Sequence, residues 1–469
     1  MVVKYNYQDI FDEALKVEVI TLPACKDFGL KLEFLENENS HIIEPVYKDK
    51  PPLLPFARSE LYQARISSWR RLTAVNDGCK PVYEVTFDIK GSNFDFKAGD
   101  TIGILPRNSP EDVTSILDHL GVAQADQCYN LSVHSGQKGT KVPAHIPVRA
   151  TLRHVLTHCV DLRGVLKKLF LLALSKHTKC DTERKTLEYL CSKEGSEAYT
   201  KHILKKGICI LDLFTIFKTC RPPINILLAN LPRLLPRPYS IVNSGMKDSN
   251  ILKICFSLMD LGNNRNGLTT GWLEKQMIND NLENRMGNLN ITNDCDSVLV
   301  PMYIRQNMAG FSLPHTESPL LLIATGTGVA PFIGFLEERE IRNMKESKGE
   351  AWLFFGCRDP KLDYLYQEEL EQYEDKLALN KLITAFSRIP NEEARHVQDA
   401  LRENGRDVAR LVEEGASVFV CGEAKTMVAQ VKECILNCLV QYSGRSEEEA
   451  TQWISQMEKD KKYVVDLWS

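Results

Sequence analysis

Hydroxyl and guanidinium groups follow two apolar runs in the last third of the chain. Ser387-Arg388 comes directly after the run 381–386, Arg358 follows the run 352–356, and Arg395 lies a few residues further on. A guanidinium binds phosphate through parallel N–H donors, and a neighbouring hydroxyl adds another hydrogen bond. Any one of these arginines is better explained as a solvated surface charge. As a set at equivalent strand ends, they favour the 2′-phosphate of NADPH over the ribose diol of NADH.

A glycine-rich turn lies upstream of these residues. Gly326, Thr327 and Gly328 follow the apolar run 320–323 and precede a helical pattern. Glycines after a buried strand let backbone N–H groups approach a phosphate at a helix N-terminus. Taken alone, such a turn is as often only tight packing, so its meaning depends on the strands beside it.

Two further segments combine groups that suit a flat, phosphorylated cofactor. Arg237, Tyr239 and Ser240 supply a guanidinium, an aromatic ring and a hydroxyl within four residues, although the same string fits an ordinary edge strand. The stretch from Gly267 to Trp272 places small residues and hydroxyls, among them Thr269 and Thr270, at a predicted helix start. The simpler alternative there is a plain helix cap made by Thr270.

A thiol and an aromatic ring complete the candidates. Cys421 ends the apolar run 417–421, where a cysteine is more often inert core than catalytic. The chain ends in a run containing Asp466 and Trp468. Because termini commonly fray, Trp468 either pins the last strand to the core or covers something flat.

The elements that must position these groups fall into two patterns. From residue 320 onwards, the runs 320–323, 352–356, 381–386 and 417–421 alternate with helix-period segments, which predicts a parallel doubly wound sheet. Ligands of such sheets bind beyond the carboxyl ends of the strands.

The earlier part of the chain has short alternating strands interrupted by a helical block. Strands are predicted at 82–89, 96–104, 238–242 and 252–259, with Gly99-Asp100 as a turn. Helical spacing dominates roughly 110–222, so a helical block is inserted within an all-β unit.

Composition limits the classes of protein to consider. The 469 residues predict two or three domains, and the net charge of -4 gives no sign of a nucleic-acid binder. The 14 cysteines form no CxxC pair, which argues against a disulfide framework or a metal site and for a reducing compartment. The N-terminal residues resemble no secretory signal, and the uncharged stretch Ser318 to Leu336 fits strand, turn and helix better than a membrane span. We therefore expect a cytosolic protein.

Together these residues resemble the NADPH–FAD module of the diflavin reductases, from about Arg58 to Ser469 and in the family's order. The segments 151–159, 190–195, 331–336, 352–358 and 466–469 are most similar to the branch whose electrons reactivate cobalamin-dependent methionine synthase. The resemblance implies an α+β multidomain fold, with an antiparallel β-barrel FAD domain, an inserted helical connecting domain and an α/β parallel-sheet NADPH domain. The expected boundaries are 1–57 for an N-terminal linker or entry segment, 58–108 and 236–315 for the two parts of the barrel, 109–235 for the helical domain and 316–469 for the NADPH domain.

The resemblance also implies a role for each candidate. Arg237 binds the FAD pyrophosphate region, Tyr239 stacks on the isoalloxazine, and Ser240 hydrogen-bonds near flavin N5. The pyrophosphate is held by Gly267 to Thr270, including Thr269, and NADPH is bound by Gly326, Thr327, Gly328, Arg358, Ser387, Arg388, Arg395, His396 and Gln398. Ser240, Cys421 and Asp466 surround the hydride path. Trp468 covers the flavin face and moves aside for the nicotinamide.

The sequence departs from the family in three places, the first of which is Ala324, where many relatives have a glycine at the start of the phosphate turn. His396 stands where a tyrosine is common in the 2′-phosphate site, which makes that site sensitive to pH near neutrality. No flavodoxin-like FMN module precedes Arg58, so an FMN domain or flavodoxin-like protein is expected as a partner, and the chain is a fragment or its partner is a separate molecule. Other acceptors remain open, namely cytochrome P450, sulfite reductase or an iron–sulfur protein. A flavin-binding scaffold without turnover is the alternative of another class.

Overall fold

The computed structural model describes residues 7–24, 29–35, 44–76, 78–133, 141–262, 265–286, 299–314, 317–343, 349–390, 392, 394–422 and 425–467. The chain divides into two compact units. The first comprises Met1–Leu54, Pro106–Pro236 and Leu261–Trp272, and the second comprises Pro55–Leu105, Arg237–Asp260 and Leu273–Ser469.

The strands of the described residues form three sheets. In chain order they are β1 (Leu30–Phe34), β2 (Tyr62–Arg71), β3 (Val82–Asp88), β4 (Thr101–Ile104), β5 (Cys128–Val133), β6 (Arg149–Thr151), β7 (Arg237–Ser240), β8 (Ile251–Ser257), β9 (Leu299–Ile304), β10 (Leu320–Thr325), β11 (Ala351–Cys357), β12 (Lys381–Phe386), β13 (Ser417–Gly422) and β14 (Tyr463–Leu467).

The helices lie mainly in the first unit and around the parallel sheet of the second. In chain order they are α1 (Gln8–Leu15), α2 (Pro110–Leu120), α3 (Leu152–His158), α4 (Lys168–Ser175), α5 (Asp181–Cys191), α6 (Ser196–Tyr199), α7 (Ile210–Ile216), α8 (Ile224–Asn230), α9 (Leu268–Met286), α10 (Ala330–Asn343), α11 (Gln367–Asp375), α12 (Val397–Glu403), α13 (Gly405–Glu413), α14 (Lys425–Ser443) and α15 (Glu447–Lys459).

The first unit packs its helices with a small antiparallel sheet of order β1-β5-β6. Its core includes Ile10 and Ala14 of α1 and Leu30 of β1, which are buried. The described part of the segment 1–57, expected as a linker or entry segment, thus contributes a helix and a strand to this unit. The reason is apolar spacing: Leu30, Leu32 and Phe34 lie on one face of β1, which pairs with β5.

The second unit contains an antiparallel sheet of order β7-β4-β9-β2-β3-β8. A single bridge between Ile241 and Ile254 links the chain just after β7 to β8, the other edge strand. The predicted strand 96–104 is shorter than expected, because only β4 is extended. Before it, the Asp100 carboxylate accepts a hydrogen bond from the Lys97 N–H at 3.0 Å, closing the predicted turn at Gly99, where φ is +88°.

The parallel sheet of the second unit has the order β12-β11-β10-β13-β14. The strands β10, β11 and β13 are buried almost throughout, as parallel strands covered by helices on both faces must be. The sheet contains a fifth strand, β14, beyond the four strand–helix alternations predicted. The uncharged stretch from Ser318 folds as β10, a short 3-10 turn at Gly326–Val329 and the start of α10, as predicted. Among the described helices, none combines the length and the apolar character needed to cross a bilayer.

Candidate functional site

The connection after β10 lies where the strand order of the parallel sheet reverses. The chain proceeds from β10 to β11 and β12 on one side, whereas β13 and β14 lie on the other. A crevice at the carboxyl ends of the strands forms at such a point. The turn fits tightly there: a Cβ on Gly328 would lie 2.2 Å from the carbonyl oxygen of Cys421, whereas a Cβ on Gly326 would meet nothing within 4 Å. The turn therefore packs on β13 through Gly328 and leaves open space beside Gly326.

The carboxyl ends of β11 and β12 bring together the residues predicted for the 2′-phosphate. The Ser387 N–H donates to the Cys357 carbonyl at 3.0 Å, and the Arg388 N–H donates to the Arg358 carbonyl at 2.9 Å. The guanidinium of Arg395 donates to the Ser387 carbonyl at 3.0 Å. Since the side chains of Arg388 and Arg395 are exposed, two guanidinium groups and a hydroxyl lie together at a surface that an anion can reach.

Arg358 differs from its neighbours because it has an internal partner. Its Nε donates to Asp363 at 2.6 Å, and the same carboxylate accepts the backbone N–H of Arg358 at 3.0 Å. The hydrogen bond that Arg358 donates to Asp363 raises the pKa of Arg358. The position at the strand end is as predicted, but most of the charge of Arg358 is balanced within the protein.

His396 and Gln398 occupy the start of α12. His396 is the residue before the helix, with its Nδ1 3.5 Å from the Asp399 carboxylate and 62% of its side chain exposed. Gln398 is buried, and its amide nitrogen donates to Gln430 at 2.7 Å. The imidazole of His396 therefore lies at the surface, whereas the side chain of Gln398 is engaged between helices.

Three of the residues predicted for the hydride path meet at the carboxyl ends of β13 and β14. Ser240 at the end of β7 donates to the Asp466 carboxylate at 3.1 Å. Asp466 on β14 stands directly opposite Cys421 on β13 in the sheet register. The structure thus joins the last residue of an antiparallel strand to the carboxyl edge of the parallel sheet, a contact across 226 positions of sequence.

Burial sets the electrostatics of this end. Burial raises the pKa of Asp466 above its usual range, against the hydrogen bond from Ser240 and the charge of Arg305, which both lower it. Burial, reinforced by the Asp466 charge, raises the pKa of Cys421 well above its ordinary value. Cys421 is therefore a neutral thiol at neutral pH, and Asp466 is a carboxylate that is costly to charge.

Arg305 is a charged neighbour of Asp466 that the sequence analysis missed. It follows β9, its N–H donates to the Thr101 carbonyl at 2.9 Å, and Thr101 is the register partner of Ser240. Its guanidinium lies 5.4 Å from the centre of the Phe56 ring. No local pattern marks Arg305, because its position depends on the pairing of β4 with both β9 and β7.

The remaining flavin candidates in the second unit lie on β7. Tyr239 is half-buried and pairs with Ile102 of β4, while its ring approaches that of Phe256 edge-on at 6.2 Å between centres. Arg237 pairs with Ile104 at the other end of the strand. The backbone register places Arg237, Tyr239 and Ser240 along one strand, as predicted, and the strand ends at Ser240, where Asp466 is reached.

The predicted phosphate cradle of the first unit begins a helix, as expected. Gly267 precedes α9, and its carbonyl accepts the N–H of Gly271 at 2.8 Å. Within the residues that the structure describes, the hydroxyl of Thr269 and the indole N–H of Trp272 are buried without a hydrogen-bond partner. Such groups are normally satisfied, so the first two turns of α9 contain polar atoms that are free to bind a further group, which fits the pyrophosphate of FAD. Trp468 lies outside the described residues.

Comparisons with known proteins give two matching family models along the chain. Residues 54–272 match the family model of an FAD binding domain, and residues 322–433 match that of an oxidoreductase NAD-binding domain. Methionine synthase reductase from Rattus norvegicus is 34% identical over 89% of this chain and 62% of its own length. NADPH–cytochrome P450 reductase from Homo sapiens is 29% identical over 90% of this chain and 60% of its own length. The chain thus spans about 60% of the length of these relatives.

The ranges that match the two family models correspond to distinct parts of the fold. The FAD-binding match covers strands of the antiparallel sheet and the helical insert, and the NAD-binding match covers most of the parallel sheet with its glycine turn. The chain therefore carries an FAD binding domain followed by an oxidoreductase NAD-binding domain, and over most of its length it is similar to methionine synthase reductase and NADPH–cytochrome P450 reductase.

Proposed function

We propose that the chain prefers NADPH and passes its hydride to FAD at the end of the crevice where Ser240 meets Asp466. The observation that carries the proposal is the separation of two environments along one sheet edge. Exposed cations lie at the ends of β11 and β12, and a half-buried hydroxyl–carboxylate pair lies beside β13. When bound, the nicotinamide supplies a hydride and the flavin accepts it, which requires direct ring contact without intervening water.

The cationic end selects the nucleotide. Arg388 and Arg395 would bind the 2′-phosphate together with the Ser387 hydroxyl, and charge-assisted hydrogen bonds of this kind are the strong ones. Arg358, balanced by Asp363, would contribute through its remaining N–H groups. Gly326 to Gly328 would bring backbone N–H groups to the nucleotide phosphates. His396 and Gln398 would border this site from the start of α12.

The buried end supports the transfer. The Asp466 carboxylate would stabilise positive charge developing on the nicotinamide. Ser240 would donate a hydrogen bond to that carboxylate and would take part in proton transfer at flavin N5. Cys421, which is neutral and buried, would pack beside Asp466 and form part of the surface beneath the nicotinamide. Tyr239 would stack on the flavin, with Arg237 and the Gly267–Thr270 turn on its phosphates. These strands would belong to a barrel, which the Ile241–Ile254 bridge supports.

Trp468 would cover the flavin face and yield to the nicotinamide. The proposal rests on its position one residue past β14, the strand that carries Asp466. Replacing Trp468 with Ala should relax selectivity towards NADH, and an unchanged ratio of kcat/KM for the two nucleotides would exclude a gating role.

The electrons would leave one at a time through an FMN domain or a flavodoxin-like partner. Methionine synthase is the final acceptor we propose, through reductive reactivation of its cobalamin, and the rat relative named methionine synthase reductase supports it. The relatives named for cytochrome P450 reduction support cytochrome P450 as the alternative acceptor. A scaffold without turnover is disfavoured because it would not need the Ser240–Asp466 contact.

The test is anaerobic reduction of the FAD-loaded chain, followed by the visible absorbance of the flavin. NADPH should bleach the flavin rapidly, and NADH should do so slowly or not at all. Equal rates with both nucleotides would remove the role proposed for Ser387, Arg388 and Arg395. An FAD-loaded chain that neither nucleotide reduces would make the scaffold the better explanation.

A further inference from the structure

Two arginine–aspartate ion pairs of the first unit lie at Arg265 and Asn266, the residues that lead into α9. One pair joins Asp112 to Arg163, and the other joins Asp212 to Arg265. Asp112 lies in the first turn of α2 and Asp212 in the first turn of α7, both within the helical insert. The insert therefore contributes charged contacts to a segment far along the chain.

The first pair reaches the backbone just before α9. Arg163 donates to Asp112 through Nε at 3.0 Å and Nη2 at 2.7 Å. Its remaining branch, Nη1, donates to the carbonyl of Asn266 at 2.6 Å. Only 17% of each charged side chain is exposed, so the guanidinium is held on two sides in a largely desolvated place.

The second pair fixes the neighbouring residue. Arg265 donates to Asp212 at 2.8 Å and to the sulfur of Cys209 at 3.1 Å. Asp212 also accepts the backbone N–H of Cys209 at 3.1 Å. Arg265 is thus tied to the start of α7 by its side chain, while Asn266 is tied to Arg163 by its backbone.

The segment held in this way packs closely against the first turn of α9. A Cβ on Gly271 would lie 2.7 Å from the Cβ of Asn266, so the residues before α9 fold closely against its first turn. Thr269, whose buried hydroxyl has no partner among the described residues, lies in that turn. A shift of Asn266 would therefore move the backbone N–H groups at the start of the helix.

We propose that the helical insert positions the FAD pyrophosphate cradle, with Arg163 and Arg265 as positioning residues that fix the start of α9. The inference rests on the proposed role of Gly267 to Thr270. Arg163 and Arg265 act on the cofactor through the loop, because they hold its backbone in place before the phosphate arrives. Preorganised donors bind more tightly than donors that must be ordered on binding.

If Arg163 and Arg265 served only the stability of the fold, their replacement would change the free energy of unfolding and leave the affinity for FAD unchanged. Buried ion pairs add little net stability, since desolvation offsets their attraction. Arginine also differs from lysine here, because one ammonium cannot span the Asp112 carboxylate and the Asn266 carbonyl as the forked guanidinium does. Arg163→Lys keeps the charge opposite Asp112 and loses the fork.

The experiment measures the FAD dissociation constant of the apo-form of the full chain for the wild type, R163K, R163Q and R265Q. The matched control is R153Q, which breaks the exposed pair of Arg153 with Asp126 in the same unit, at 2.6 Å. We expect FAD affinity to fall roughly tenfold or more in R163K, R163Q and R265Q, as for loss of a charged hydrogen bond, and to stay unchanged in R153Q. Binding of 2′,5′-ADP, which addresses the NADPH site, should be the same in all variants.

The outcomes separate the two proposals. Wild-type affinity for FAD in R163K and R265Q would overturn the positioning role while leaving the proposed function intact. A wild-type apo-form that binds 2′,5′-ADP but not FAD would overturn the cradle itself. R163K guards against misfolding, since it retains the ion pair; a loss of FAD affinity in R163Q that R163K fully restores would show that charge alone matters and would also overturn the role of the fork.

Discussion

The two ends of the candidate NADPH crevice differ in how far water reaches them. At the carboxyl ends of β11 and β12, Arg388 and Arg395 are exposed, and their charges are available to an incoming anion. Beside β13, Cys421 is fully buried and burial raises the pKa of Asp466. The charges of the exposed end can attract and select a nucleotide without lowering the stability of the fold. At the buried end, burial disfavours the charged form of Asp466. Affinity and chemistry are therefore expected to respond to different substitutions.

Asp466→Asn should have the largest effect, because it removes the only negative charge that we place at the hydride path. The amide keeps the shape and accepts a hydrogen bond from Ser240, so the nucleotide should still bind. Loss of one preorganised electrostatic group costs on the order of a hundredfold in rate, and we expect flavin reduction to slow by about that factor. Stopped-flow absorbance under anaerobic conditions measures it.

The control for this change is Asp460→Asn, at the exposed end of α15. Its flavin reduction should match the wild type. If Asp466→Asn instead raises the KM for NADPH at an unchanged reduction rate, the buried end contributes to binding and the contrast between the two ends disappears.

Arg388→Ala should act on the other end and leave the chemistry alone. A charge-assisted hydrogen bond to phosphate is worth about 1.5–3 kcal/mol, which corresponds to a rise of about 10–100-fold in the KM for NADPH. The KM for NADH and the limiting rate of flavin reduction should not change. Arg402→Ala is the control, since Arg402 is an exposed cation paired with Asp399 on α12. A parallel rise of the KM for NADH would mean that Arg388 does not recognise the 2′-phosphate.

The parallel sheet and its exposed end were predictable from sequence, and the surroundings of the buried end were not. Each strand from β10 to β13 is a local apolar run that ends in, or is followed directly by, glycine, serine, cysteine or arginine, so the strand and its strand-end residues are found together. Arg305 has no such signal, because it reaches Asp466 only through the pairing of β9, β4 and β7. The internal partner of Arg358 was also missed, although Asp363 lies only five residues away. Strand β1 was missed because it is only five residues long and follows a segment in which apolar residues show no periodic spacing.

Arg305→Gln should sharpen the contrast by changing the pH response of the buried end. The charge of Arg305 lowers the pKa of Asp466, so its removal raises that pKa further. The carboxylate then becomes protonated at a higher pH, and flavin reduction should begin to fall at a higher pH as the solution is acidified. Among the described residues, the groups that face Asp466 are Ser240, Cys421 and Arg305, and Cys421 is a neutral thiol in this range.

The pH profile of the flavin reduction rate tests this, with Arg305→Lys as the matched variant. Lysine keeps the positive charge, so its profile should return to that of the wild type. An acid limb that does not move in Arg305→Gln, while the limiting rate stays normal, would show that Asp466 does not control the profile.

The smallest effect concerns stability, and it has the opposite sign from the effect on rate. Because the pKa of Asp466 is higher in the folded chain than in the unfolded chain, the folded state binds the proton more tightly. Stability therefore falls as the pH rises between those two pKa values, and the full penalty remains at neutral pH. Asp466→Asn removes the penalty, so its thermal midpoint at neutral pH should exceed that of the wild type by about 1–2 °C.

The pH dependence of that difference identifies its cause. As the pH is lowered below the ordinary pKa of an aspartate, Asp466 becomes neutral in both states of the wild type, and the two midpoints should converge. Asp460→Asn, at an exposed site, should show no such convergence. If Asp466→Asn is less stable than the wild type at every pH, the carboxylate contributes more through its hydrogen bond with Ser240 than its burial costs. The buried end would then be a structural contact, and the slow step of the variant would have to be explained by displacement of β14.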